Sequence, residues 1–79
     1  MKYILFDMSG LPTPILFPEH VSHNDVAFSI LERFPGYKVL SAGFCSIGQY
    51  GVNCWGESIS LKVKSDPNDF KYVQMMIKG

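Results

Sequence analysis

The segment SAGFCSIGQYGVNCWGES, residues 41–58, decides the fold. Gly48-Gln49-Tyr50-Gly51 has the length and residue types of a hairpin loop, and the flanking runs 37–47 and 52–64 read as two long strands. Setting Ile47 opposite Val52 fixes every other pair. One face then carries Cys45 against Cys54, Gly43 against Gly56 and Ser41 against Ser58. The other carries Phe44 against Trp55, Ala42 against Glu57 and Leu40 against Ile59. Small residues meet small and large meet large, a match that a one-residue slip would destroy.

The bulky face, with Phe44, Trp55, Leu40, Ile59, Leu61 and Val63, is the expected seat for helices. The opposite face holds Ser41, Gly43, Cys45, Cys54, Gly56, Ser58 and Ser60, almost without side-chain bulk. Glycine weakens a strand interior and offers nothing to pack, so paired glycines imply that something comes close to the backbone. The candidates are a second copy of the sheet, a helix lying unusually near, or a flat ligand. The bland alternative is that Gly43 and Gly56 permit a bulge or a strong local twist.

Outward from the hairpin, two helices are marked. Ser22 and Asp25 have capping-box spacing, Val21 and Val26 stand as a hydrophobic staple, and Pro35-Gly36 closes the run, which predicts a helix starting near His23. Val26, Ala27, Ile30, Leu31 and Phe34 form its apolar stripe. Asp66-Pro67-Asn68-Asp69 reads as a second helix start, followed by a stripe of Phe70, Val73, Met76 and Ile77. At the other end KYILFD, residues 2–7, reads as a strand and MSGLPTP, residues 8–14, as a loop. ILF, residues 15–17, fits only a sheet edge because prolines flank it. The expected fold is a single α+β domain over residues 1–79, a small antiparallel sheet of three or four strands with two helices on one face, in the order ββαββα or βαββα.

Composition narrows the function. A chain of 79 residues sits near the lower limit at which one core suffices, yet 47% of it is hydrophobic, with six Phe, four Tyr and one Trp. That surplus predicts self-association into a homo-oligomer. Seven basic residues balance seven acidic ones, which argues against nucleic acid as a partner. The opening MKYILFDMSG is too short and too polar for a signal peptide or a membrane span, so a cytoplasmic location with reduced thiols is expected.

Chemical motifs are sparse. His20-x-x-His23 straddles a helix start with no third ligand at a recognisable spacing, so it reads as a capping region, with anion binding at the helix N-terminus as the sharper alternative. Eight residues separate Cys45 from Cys54, against the short spacings of zinc pairs, and no basic neighbour activates either thiol. Lys62 and Lys64 share the expected strand face of Ser58 and Ser60; they are either solvated strand-end charges or phosphate-binding groups. No P-loop, G-x-S-x-G or H-E-x-x-H is present, and no enzyme, metal or cofactor is expected.

The run from GFCSIG, residues 43–48, through CWGESISLKVKSDPND, residues 54–69, resembles the small accessory proteins encoded by phages and prophages. The resemblance implies a compact oligomer that acts stoichiometrically on a component of a bacterial host, some such proteins holding a signalling nucleotide and others occluding a host protein. Two functional expectations follow. In the first, Ser58, Ser60, Lys62, Lys64 and His23 bind a small anionic, nucleotide-like ligand, and Gly43, Cys45, Cys54, Gly56, Tyr50 and Trp55 form a subunit interface. In the second, exposed aromatics such as Tyr50 and Trp55 bind and block a host protein without a small ligand.

Overall fold

The computed structural model describes residues 1–78. It contains β1 (Lys2–Met8), β2 (Leu11–Phe17), α1 (His23–Arg33), β3 (Lys38–Gly48), β4 (Gly51–Trp55), β5 (Glu57–Ser58), β6 (Val63–Lys64) and α2 (Asp69–Lys78). Four strands form one antiparallel sheet in the order β2-β1-β3-β4, and β5 and β6 pair as a separate two-stranded ribbon. The α+β class therefore holds. No helix among the described residues is long and apolar enough to cross a membrane.

Residues 2–17 form a hairpin: the edge strand expected at 15–17 is present, and it extends back to Leu11, so that only a two-residue turn remains of the expected loop 8–14. Ser9 and Gly10 adopt φ of 56° and 90°, a two-residue turn of the kind whose twist matches that of the flanking strands, and Gly10 N–H donates to Asp7 Oδ1 at 2.7 Å. Met8 then faces Leu11, and pairing continues to Lys2 opposite Phe17. Counting from such a turn, hydrogen-bonded and non-bonded pairs alternate, and Pro12 and Pro14, opposite Asp7 and Leu5, fall at non-bonded positions. Their missing amides would have pointed away from β1, so an edge strand carries them without loss of ladder bonds.

Helix α1 begins where the capping signals place it, with Ser22 Oγ accepting from Asp25 N–H at 3.0 Å. It lies on one face of the sheet: Ala27, with Val26, Ile30 and Leu31, packs against Ile4, Phe6, Phe17 and Ala42. The residues that alternate with these on β1, Tyr3 and Leu5, point to the other face and pack there with Cys45, Cys54, Leu16 and Tyr72 of α2. The helices thus sit on opposite faces, which corrects the one-sided arrangement. The stripe expected on α2 is corrected too: Val73 is fully buried, but Phe70, Met76 and Ile77 remain exposed and the helix buries Asp69 instead.

The central hairpin keeps its register only near the turn. Ile47↔Val52, Cys45↔Cys54 and Phe44↔Trp55 pair as the residue sizes demand. Beyond Trp55 the chain leaves β3 at Gly56, whose φ is +82°, so Gly43–Gly56, Ala42–Glu57, Ser41–Ser58 and Leu40–Ile59 never form. Residues 57–64 fold back on themselves, with Glu57 opposite Lys64 and Ser58 opposite Val63. Leu61 and Val63 then join the α1-side core, while Ile59 projects into solvent.

Candidate functional site

The question posed by the two glycines has an internal answer. A Cβ on Gly43 would lie 2.3 Å from the Trp55 carbonyl oxygen, and one on Gly56 would lie 2.9 Å from the Phe44 ring. The chain crosses over its own backbone as it leaves β4, and glycine is what lets it pass. The bare face is not an open patch: Ser41, Gly43 and Cys45 are buried, and α2 lies over that side of the sheet. Of the six expected interface residues, Gly43 and Cys45 are internal, Cys54 is half-buried, Gly56 sits at the exit turn, and Tyr50 and Trp55 face solvent.

The expected ligand residues are divided between two surroundings. His23 is buried, with its Nε2 2.9 Å from the Gly43 carbonyl and its ring edge-on to both Phe17 and Phe44. Its imidazole braces α1 against β3 rather than facing a ligand from solvent. Ser58, Ser60, Lys62 and Lys64 all lie on the β5–β6 ribbon and its connecting turn. Ser58 is buried, its Oγ 3.4 Å from Ser60 Oγ and accepting from Leu61 N–H at 3.2 Å; both lysines are exposed, and Lys62 has a positive φ of 59° within the turn. The hydroxyls are engaged in holding the ribbon together.

Cys45 and Cys54 are neighbours across the ladder and both are free thiols. Burial, with the nearby charges of Cys45 and Asp69, pushes the Cys54 thiol up to about 11, and burial also raises Cys45. Neither supplies much thiolate at neutral pH. No group of three or more potential metal ligands occurs among the described residues.

Two clefts flank α2. One, of about 320 Å³, lies between the β3–β4 tip and the C-terminal half of the helix and is lined by Ile47, Tyr50, Val52, Gln74 and Ile77 among others. Around it the apolar surface is unusually open, with Tyr50 95% exposed and Ile47 and Ile77 also solvent-facing. The other, of about 280 Å³, lies at the helix N-terminus between Leu5, Leu40, Ser41, Asp66, Asn68, Asp69 and Tyr72. A bulge in β3 opposite Leu5 and Phe6 leaves Leu40 unpaired and turns it toward this second cleft.

Asp69 at this second cleft is only 1% exposed. Its Oδ2 accepts from Asp66 N–H at 2.9 Å and from the Tyr3 hydroxyl, and burial together with the Asp69 charge drives the Tyr3 phenol far above its ordinary range. In the sequence Asp69 is only a helix-start acid and Tyr3 an ordinary strand residue. No local pattern announces the pair; the two lie 66 positions apart. Comparison with protein-family models, with curated proteins and with solved structures gave no match.

Proposed function

We propose that the protein is a non-catalytic binding module that associates with a second copy of itself through the end where the β3–β4 tip meets α2. The observation that carries this reading is the 95% exposed Tyr50 with the exposed Ile47 and Ile77, grouped around an open cleft on a chain too small to leave such surface idle. Met75, exposed on the same helix, adds a flexible thioether that adapts to whatever packs on it. Formal neutrality removes the long-range repulsion that would keep two copies apart. The neutral thiols and the internally bonded His23 favour binding over turnover.

The resemblance to phage accessory proteins supplies the role on this reading: the assembled unit occludes a host protein, one complex per target. Nucleotide capture is the weaker version, because His23 faces inward and does not complement Lys62 and Lys64.

Sedimentation velocity over a concentration series tests the assembly. The wild-type chain should move toward a dimer as concentration rises, and the double variant Tyr50→Asp with Ile77→Asp should stay monomeric with unchanged far-UV circular dichroism. A wild-type chain that is monomeric throughout overturns the proposal. A thermal-shift series with cyclic and linear nucleotides should give no stabilisation; a saturable rise with one of them would return the nucleotide reading to first place.

A further inference from the structure

The cleft at the N-terminal end of α2 holds two features that ordinary folding leaves unexplained. Asp69 is a buried carboxylate, yet the only ion pair among the described residues joins the Met1 amino group to Glu19, so no side-chain cation neutralises it. Burying a charge without a counter-charge is costly, and two hydrogen-bond donors offset that cost only in part. Beside it, Ser41 is 3% exposed and its hydroxyl has no hydrogen-bond partner. Buried hydroxyls are nearly always satisfied, so each exception asks for a reason. Ser41 and Asp69 line the same cleft, with the exposed Asp66 at its mouth.

We propose that this cleft binds a small primary alkylammonium group. An ammonium carries one positive charge and three N–H donors, and acceptors to match lie on the residues lining the cleft: the exposed Asp66 carboxylate and, closed to solvent in the free protein, the Asp69 carboxylate and the Ser41 hydroxyl. The remaining walls, Leu5, Leu40 and the Tyr72 ring, suit a short hydrocarbon stem, in the way that lysine buries its methylenes while its head stays polar. A volume of about 280 Å³ admits a chain of a few carbons. An anion is disfavoured, because two acidic residues line the space and their carboxylates already take up the Asp66 and Asn68 amides of the turn before the helix. A metal ion would find too few ligands, since no cluster of three His, Cys, Asp or Glu exists among the described residues. The site lies at the opposite end of α2 from the self-association surface, so the two proposals stand or fall separately.

The test is a titration followed by amide NMR, with n-butylammonium chloride as the probe and tetramethylammonium chloride at matched ionic strength as the control. Butylammonium should shift the amides of Ser41 and residues 66–72 saturably. Tetramethylammonium has the charge but no N–H donor and should not. Ser41→Ala should keep or raise the melting temperature of the free protein, because it deletes an unpartnered hydroxyl, while weakening butylammonium by about tenfold. Asp66→Asn retains an acceptor for the Asn68 amide, removes an exposed charge, and should weaken the probe in the same direction. Equal shifts with both salts, no saturable shift with butylammonium, or undiminished binding in both variants would overturn the proposal.

Discussion

The two faces of the sheet are sealed by different physics. On the α1 side Ile4, Phe6, Phe17, Ala27 and Ala42 form an apolar core of the ordinary kind, stabilised by area removed from water at roughly 25 cal/mol per Å². On the α2 side the buried set is Tyr3, Leu5, Ser41, Cys45, Val73 and Asp69, smaller and more polar, and it depends on the hydrogen bonds that Asp69 accepts from Tyr3 and Asp66. The first face tolerates compensating changes of shape. The second is positionally exact, because a displaced donor there strands a charge. A helix seated on small and polar groups is held in place without being glued down, and the space it fails to fill is where a ligand can enter.

The sharpest way to break this contrast is at the crossing point. Gly43→Ala puts a methyl group against the Trp55 backbone oxygen, which no rotamer change relieves, and should cost more than about 3 kcal/mol, read as loss of most of the folded baseline in a urea titration. Phe6→Ala on the α1 side should come close, at about 3–4 kcal/mol, through the cavity it leaves. If both substitutions on the two faces were equally mild, the division would fail. Tyr3→Phe removes one donor from buried Asp69 and should cost about 1–3 kcal/mol, far more than the loss of a phenolic oxygen on the surface. Gly48→Ala, whose methyl would meet nothing within 4 Å, should change stability by less than about 1 kcal/mol.

Alkaline pH sharpens the comparison without mutation. Cys54 has its thiol raised from 9.0 to about 11, so between those values the unfolded chain sheds the proton that the folded chain retains. Stability from this group is whole below pH 9 and declines as pH climbs through about 11, and the raised Tyr3 and Cys45 act in the same direction. Thermal melts at a series of alkaline pH values should fall steadily, and Cys54→Ala should flatten part of the decline.

What the sequence made legible was local. The Ser22 cap and the Pro35-Gly36 stop bracket α1, and the size match of residues 44–47 with 52–55 sets the register of the β3–β4 turn. Both signals live within a few residues of what they specify. The register failed beyond Trp55 because period-two alternation cannot distinguish a strand that continues from one that turns away at a glycine. The first half of β2, residues 11–14, was hidden by its prolines, whose penalty depends on which pairs are hydrogen-bonded, a property of register and not of composition. The Tyr3–Asp69 pair and the stranded Ser41 hydroxyl required two distant segments to be superposed, and the face that looked bare in one dimension was covered by α2 in three.

The prolines of β2 reach further than their own hairpin. With Pro12 and Pro14 presenting no outward amide, that margin of the sheet is a poor template for an incoming strand, whereas β4, at the other margin, has no proline. Strand addition to this sheet is therefore disfavoured at β2 relative to β4. A pairing of two sheets along β4 would leave β2 as the free margin of each, the one whose prolines make it least able to take a further strand.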